Sequence, residues 1–175
     1  MSDASYKSRQ SGFTLIEILV VLTIFIFIAG SAMFVSMDSY RGFSLRGERD
    51  TVISVLQKAR SQSISNICLG ACSANDGQKH GVHFDIAGKK YVIFQTTNNF
   101  TSGRDASVDQ EVPISGGGIN FTPGTLSDII FDQLTGQAKD QTGAACVPTS
   151  CFVTLTQGTN HDTIQINSEG QIDNP

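Results

Sequence analysis

The order of apolar and polar residues divides the chain into three parts. Residues 13–37 form an almost unbroken apolar run, which follows a polar stretch carrying Lys7 and Arg9. Residues 40–67 place apolar side chains at spacings of three and four, which predicts an amphipathic helix. From residue 68 onward, short alternating runs between turn-forming residues predict β-strands. The pattern therefore predicts an α+β protein, with a long N-terminal helix packed on a C-terminal antiparallel β-sheet head.

The amphipathic part of the helix has one apolar face that we expect to pack on the sheet. This predicted face consists of Leu45, Val52, Ile53, Leu56, Ala59, Ser63, Ile64 and Ile67. Gly42 and Gly47 weaken a helix, so we predict a bend or a frayed turn near them.

The head is predicted to contain two hairpins and three further strands. The hairpins comprise residues 82–86 with 91–95, and residues 152–156 with 163–167 across a turn at 157–162. The further strands are 108–114, 128–132 and 171–172. Because Pro113 cannot donate a ladder hydrogen bond, strand 108–114 should lie at an edge or end at the proline. Gly136 is expected to turn the chain after strand 128–132.

Length, charge and motifs restrict the function classes. A chain of 175 residues fits one domain, or one domain with an appended helix, and its net charge of −4 argues against nonspecific binding to nucleic acid. His80, His83 and His161 belong to no recognisable catalytic motif, and we expect His80 and His161 to be solvated in polar loops. Asp105 and Asp109 lack the spacing of an EF-hand calcium site. We predict no enzymatic activity, no catalytic residue, no metal and no cofactor.

Glu17 is the one acidic residue inside the apolar run. An unpaired carboxylate is costly in hydrocarbon, and a merely buried or membrane-spanning helix would gain nothing from it. We therefore expect Glu17 to need a partner.

The N-terminal segment differs from a cleaved secretory signal because Gly12, the candidate cleavage residue, precedes the apolar run. The run would therefore be retained, and its 25 residues suffice to span a bilayer. Lys7 and Arg9 predict that the N-terminus stays in the cytoplasm. An ordinary single-pass anchor would explain the run, but it leaves Glu17 and the Gly12–Phe13 junction unexplained.

The residues Gly12-Phe13-Thr14-Leu15-Ile16-Glu17 resemble the class III signal of type IV pilins and type II secretion pseudopilins. The resemblance implies that prepilin peptidase cuts between Gly12 and Phe13 and that Phe13 is then N-methylated. It also implies four segments: a leader (1–12), a transmembrane and filament-core helix (13–37), the amphipathic half of the helix (38–67) and a β-rich head (68–175).

The resemblance supplies a role for Glu17 and a set of partners. In that family the acid is thought to pair with the N-terminal amine of a neighbouring subunit, so Glu17 is predicted to act in assembly. The implied partners are other pilin or pseudopilin subunits, prepilin peptidase and the inner-membrane assembly platform. The protein would reside in the inner membrane with its head in the periplasm, and later in an extracytoplasmic filament.

The order of elements in the head is similar to the GspH/FimT group of minor pseudopilins and minor pilins. Phe34 occupies the position of a proline found in many major pilins, which favours a minor subunit. The alternative function is a tip-located adhesive or DNA-binding minor pilin. Some FimT-like minor pilins bind DNA through arginines near the C-terminus, and this chain has none after Arg104, so DNA is not an expected partner.

Four cysteines form two close pairs in the sequence, Cys68 with Cys72 and Cys146 with Cys151. Four thiols allow three pairings, of which two local disulfides are the simplest. Export to an oxidising compartment, implied by the N-terminal signal, favours disulfides. A zinc site made of the four thiolates, free thiols and the other pairings remain open.

Overall fold

A computed structural model describes residues 12–70, 78–115, 119–123 and 127–173 of the chain. The side chains at 32–38, 121 and 123 are not described. The elements are α1 (Leu15–Ile64), β1 (Lys79–Asp85), β2 (Lys90–Thr96), a short 3-10 helix (Ala106–Val108), β3 (Gln110–Pro113), β4 (Asn120–Pro123), β5 (Asp128–Phe131), β6 (Ala138–Asp140), β7 (Phe152–Gln157), β8 (Asn160–Ile166) and β9 (Ile172–Asp173). The chain divides into two compact units, Met1–Tyr40 and Arg41–Pro175.

In the first unit, every described side chain is exposed. The large apolar side chains of this unit range from Phe13, 83% exposed, to Val20, 49% exposed. Within the described residues, no helix combines the length and the apolarity needed to cross a bilayer. The predicted transmembrane segment 13–37 includes residues 32–37, whose side chains the structure does not describe.

In the second unit, one face of α1 is buried, as the spacing predicts. Leu45, Val52, Leu56, Ala59 and Ser63 are buried, together with Val55, which was not part of the predicted face. Ile64 and Ile67 were expected on this face, but each is 40% exposed. The reason is that α1 ends at Ile64, and Asn66 has a φ of 48°. The helix continues through Gly42 and Gly47, so the predicted frayed turn is not present there, and a bend near these glycines stays a prediction.

The first sheet has five antiparallel strands in the order β3-β2-β1-β5-β6. Its β1–β2 hairpin pairs Val82 with Ile93, as the predicted strands require. Strand β3 lies at the edge and includes Pro113, in agreement with the prediction for a proline-containing strand. All four residues of β5 are buried, and Gly136 turns the chain after it with a φ of 66°.

The second sheet has four antiparallel strands in the order β4-β7-β8-β9. Gln157 pairs with Asn160 at the end of the β7–β8 hairpin, so its turn is shorter than the predicted 157–162. Gly158 in this turn has a φ of 64°, a conformation that glycine adopts readily. Strands β4 and β6 were not predicted, and the single predicted sheet is two sheets.

The core of the second unit joins the buried face of α1 to both sheets. Its sheet residues include Val82, Tyr91 and Ile129 from the first sheet, and Leu155 and Ile164 from the second. The predicted α+β class is therefore confirmed, with an N-terminal helix followed by antiparallel strands.

Candidate functional site

The N-terminus of α1 is closed by a reciprocal contact between Thr14 and Glu17. The backbone N and the Oγ1 of Thr14 each donate a hydrogen bond to Oε2 of Glu17, both at 2.9 Å. The backbone N of Glu17 donates to Oγ1 of Thr14 at 3.3 Å. This arrangement is a capping box, in which two residues satisfy backbone donors that the helix would otherwise leave without acceptors.

The capping box corrects one expectation about Glu17. A buried or membrane-spanning helix was expected to gain nothing from this acid, but the carboxylate stabilises the start of its own helix, where the helix dipole also favours negative charge. The signal was present in the sequence, since Thr-x-x-Glu before an apolar run is the pattern of a capping box. Pairing of Glu17 with a neighbouring subunit stays a prediction.

The predicted cleavage junction lies just outside α1. Gly12, Phe13 and Thr14 are exposed and precede the first helical residue, Leu15. A peptide bond outside a helix has no helical hydrogen bonds to break before a peptidase binds it. Removal of residues 1–12 would leave Thr14 and Glu17 in place, so the mature chain would keep its capping box.

Exposed apolar side chains surround Glu17. Ile16, Ile18, Val20 and Val21 are each between 49% and 70% exposed. Monomeric soluble proteins rarely expose continuous apolar surface of this kind, and such surface normally marks a contact with protein or membrane. Among the described residues 13–28, Glu17 therefore presents the one carboxylate within a mostly apolar surface.

A second glutamate of α1 is buried in the head and was missed as a functional residue. Glu48 is only 3% exposed. The hydroxyl of Tyr91 donates to its Oε1 at 2.8 Å, and the backbone N of Ser115 donates to its Oε2 at 3.2 Å. Burial raises the pKa of Tyr91 above its ordinary value, and the hydrogen bond to Glu48 raises it further. Its spacing from Leu45 and Val52 places Glu48 on the buried helix face, which is the signal that could have found it.

His80 is buried in β1, so the prediction of a solvated loop residue is wrong. Its backbone N donates to Oγ of Ser63 at 2.8 Å, and Ser63 Oγ donates to the carbonyl of Phe131 at 2.7 Å. Neither ring nitrogen of His80 has a hydrogen-bond partner among the described residues. Burial lowers the pKa of His80 to about 4, since the charged imidazolium is disfavoured away from water. His161, by contrast, is exposed.

The loop after β2 is fixed by a layered contact of three side chains. The ring of Phe100 stacks on the ring of His83, with centroids 3.8 Å apart, and the Cζ of Arg104 lies 4.0 Å from the Phe100 centroid. His83 Nδ1 lies 2.5 Å from Oδ1 of Asp128, and Arg104 Nε donates to Asp109 at 3.1 Å. These contacts place His83 and Asp109 in a structural cluster.

One predicted disulfide is present within the described residues. Cys146 and Cys151 are joined, with Cα atoms 5.3 Å apart, and both are buried. Because Cys146 and Cys151 are joined to each other, they cannot be thiolate ligands of a four-cysteine zinc site. Cys68 also takes part in a disulfide, but Cys72 lies outside the described residues. The described residues contain no group of three or more His, Cys, Asp or Glu that could hold a metal ion.

Residues 7–33 match the family described as the prokaryotic N-terminal methylation motif. This motif is the prepilin signal of type IV pilin-like proteins, and it indicates a precursor that prepilin peptidase processes. The matched residues include Gly12, Phe13 and Glu17. They support the pilin and pseudopilin class, which is structural rather than catalytic. No curated protein and no solved structure matches the chain at a significant level of similarity.

Proposed function

We propose that this chain is a minor pilin or pseudopilin of the GspH/FimT kind, a structural subunit of a type IV pilus-like or type II secretion filament. The single observation that carries the proposal is the prepilin signal at residues 7–33, at the start of a helix whose described apolar side chains in the first unit are exposed. Before assembly the apolar segment 13–37 would hold the subunit in the inner membrane, with the head in the periplasm.

Assembly would cover the exposed apolar surface of the first unit with the same surface of other subunits. Burial of apolar area supplies the driving force for such association. Glu17 would then be desolvated, and the new N-terminal amine of Phe13 on a neighbouring subunit would be its counter-charge. A helix placed out of register would leave the carboxylate without that partner, so the ion pair would select one register.

Peptidase processing is tested by the intact mass of the protein from a host that has prepilin peptidase. We expect the first 12 of 175 residues to be removed, which leaves a chain of 163 residues. The mass of this chain should also include one added methyl group. The same chain from a peptidase-deficient host is the control and should retain its leader. The mass increase on reduction counts the disulfides. A mature mass that still includes residues 1–12 would refute the processing step.

Filament membership is tested on filaments sheared from cells. We expect the processed subunit to be present in the sheared fraction of wild-type cells and absent from that of cells lacking the assembly platform. Retention of the protein on DNA at physiological salt would instead support the DNA-binding tip function.

A further inference from the structure

The second unit contains a groove between the last turns of α1 and the start of β9, and none of the functions above uses it. The groove has a volume of about 300 Å³. It is lined by the side chains of Gln57, Arg60, Ser61 and Ile64 from α1, and of Gln171 and Ile172 from the strand. Since Arg60 is the one charged residue of this lining, the groove presents a single guanidinium among neutral side chains.

The guanidinium of Arg60 is held by two turns, one from each sheet. Its Nε donates to the carbonyl of Gly136, after β5, at 3.4 Å, and its Nη2 donates to the carbonyl of Glu169, before β9, at 3.0 Å. Gly170 has a φ of 74°, and a Cβ atom there would lie only 2.8 Å from Nε of Arg60. The two turns therefore leave room for the guanidinium and fix its orientation.

One edge of this guanidinium has no acceptor among the described residues. A guanidinium has five N–H donors, and the two carbonyls occupy the edge formed by Nε and Nη2. The opposite edge, formed by Nη1 and the second N–H of Nη2, donates to no residue that the structure describes. Arg60 also forms no ion pair with any of these residues. Two parallel N–H groups match the two oxygens of a carboxylate, and a fixed guanidinium loses little freedom on binding one.

The surroundings of Arg60 favour a single carboxylate over a polyanion. One guanidinium balances one carboxylate, whereas nucleic acid repeats its charge at every phosphate and requires clustered cations. The net charge of −4 and the exposed carboxylate of Glu169, which is outside the lining, would oppose such a chain. Ile64 is 40% exposed and lines the groove with Ile172, so an aliphatic group next to the carboxylate would also be covered.

We propose that this groove binds an aspartate or glutamate side chain on the head of an adjoining subunit. An aliphatic neighbour of that acid would pack on Ile64 and Ile172. The inference rests on the proposed function, because filament assembly is what brings a second head to this surface. Complementary charges across an interface select the correct partner and fix its register. The ion pair of Arg60 would thus align two heads, as Glu17 would align two helices.

The first test measures the binding chemistry on the full mature chain in detergent. The probe is the capped tripeptide Ile-Glu-Ile, and the capped tripeptide Ile-Gln-Ile is its uncharged control. The readout is the Nε–H NMR signal of Arg60, identified by its absence from Arg60→Lys. We expect the glutamate peptide to shift this signal with a Kd on the order of 1 mM, and the glutamine peptide to leave it in place.

A matched pair of variants separates the groove from the net charge. Gln57→Glu places a competing carboxylate in the groove and keeps Arg60 with both of its carbonyl acceptors, so the shift should be lost. Lys58→Gln makes the same change in net charge at an exposed residue outside the lining, and it should keep the shift. Equal shifts by both peptides, or equal affinity for inorganic phosphate, would overturn the carboxylate assignment.

The second test identifies the partner by incorporation into sheared filaments. Gln57→Glu should be processed normally and be as stable as the wild type, but its incorporation should fall several-fold. Lys58→Gln should assemble normally. Wild-type incorporation of Gln57→Glu would overturn the role between subunits. If the wild-type chain itself were absent from filaments, the proposed function and the adjoining subunit as partner would be overturned, whereas selective peptide binding would still support the carboxylate site.

Discussion

Glu17 and Glu48 are two glutamates of the same helix in opposite surroundings. Glu17 lies among exposed apolar side chains, and its carboxylate accepts hydrogen bonds from Thr14, three residues away. Glu48 is buried among core residues and accepts from Tyr91 and Ser115, which are 43 and 67 residues away. The first contact is local, whereas the second requires the complete head.

The difference shows how one helix serves two purposes. In the first unit the described apolar side chains are left exposed, as expected of a surface that other molecules will cover. In the second unit the apolar face is already covered by the chain's own sheets, and Glu48 fixes the helix against Tyr91 of β2. Loss of the first acid should therefore impair assembly, and loss of the second should impair folding.

The largest expected effect comes from Glu17→Gln. Glutamine can replace glutamate in a capping box, so the helix should still begin normally while the charge is lost. We expect incorporation into sheared filaments to fall at least about tenfold, because the neighbouring amine would be desolvated without a counter-charge. The free energy of unfolding of the head should not change. Glu111→Gln, at an exposed site of β3, is the control, and wild-type incorporation of the Glu17 variant would contradict the assembly role.

Glu48→Ala should impair the folding of the head rather than filament assembly. It leaves the hydroxyl of Tyr91 and the amide of Ser115 buried without an acceptor, which should lower the free energy of unfolding by about 3 kcal/mol. Tyr91→Phe removes one donor and should cost about 2 kcal/mol. Urea denaturation of the mature protein in detergent measures both. If Glu48→Ala were no more destabilising than Glu111→Ala, the burial of Glu48 would not be an important source of stability.

His80 should make the head sensitive to acid. Its folded pKa of about 4 lies below the ordinary value of 6.5, so the unfolded chain takes up the proton more readily. The stability that this group contributes is complete above about pH 6.5 and is lost as the pH falls towards 4, by about 2 kcal/mol between pH 7 and pH 5. His80→Leu should remove this component of the pH dependence, and His161→Gln, at an exposed site, should not. Equal slopes for wild type and His80→Leu would argue against the buried neutral imidazole.

The Cys146–Cys151 disulfide should contribute less than the buried glutamate. Replacement of both cysteines by alanine removes the constraint on a short loop of the unfolded chain, at an expected cost of about 2 kcal/mol. Reduction of the wild-type protein should shift the urea midpoint in the same direction. A double variant as stable as the wild type would show that the bond has no effect on folding.

The smallest expected effect compares two helical glycines. A Cβ atom at Gly47 or at Gly30 would have no described atom within 4 Å, so alanine fits at both sites. Gly47→Ala should raise the free energy of unfolding of the head by about 1 kcal/mol, because alanine favours a helix. Gly30→Ala, the matched change in the first unit, should leave thermal unfolding of the head unaltered. Equal stabilisation by both changes would show that the two units unfold together.

The features that the sequence predicts correctly are those that neighbouring residues decide. Alternating runs and the turn after them define the β1–β2 hairpin, because pairing partners there are close in the chain. Spacings of three and four identify most of the buried face of α1 from Leu45 to Ser63. Thr14 and Glu17 likewise supply both side chains that the capping box requires, so the sequence pattern contains this feature as well.

The amino-acid sequence by itself determined the α+β class, the two hairpins, and the prepilin signal followed by an apolar helix. Only the tertiary structure decided that the strands form two sheets, that His80 is buried and that Glu48 meets Tyr91. The physical reason is that strand order and desolvation depend on groups that are distant in the chain. Such contacts form only when α1 and both sheets enclose a common core.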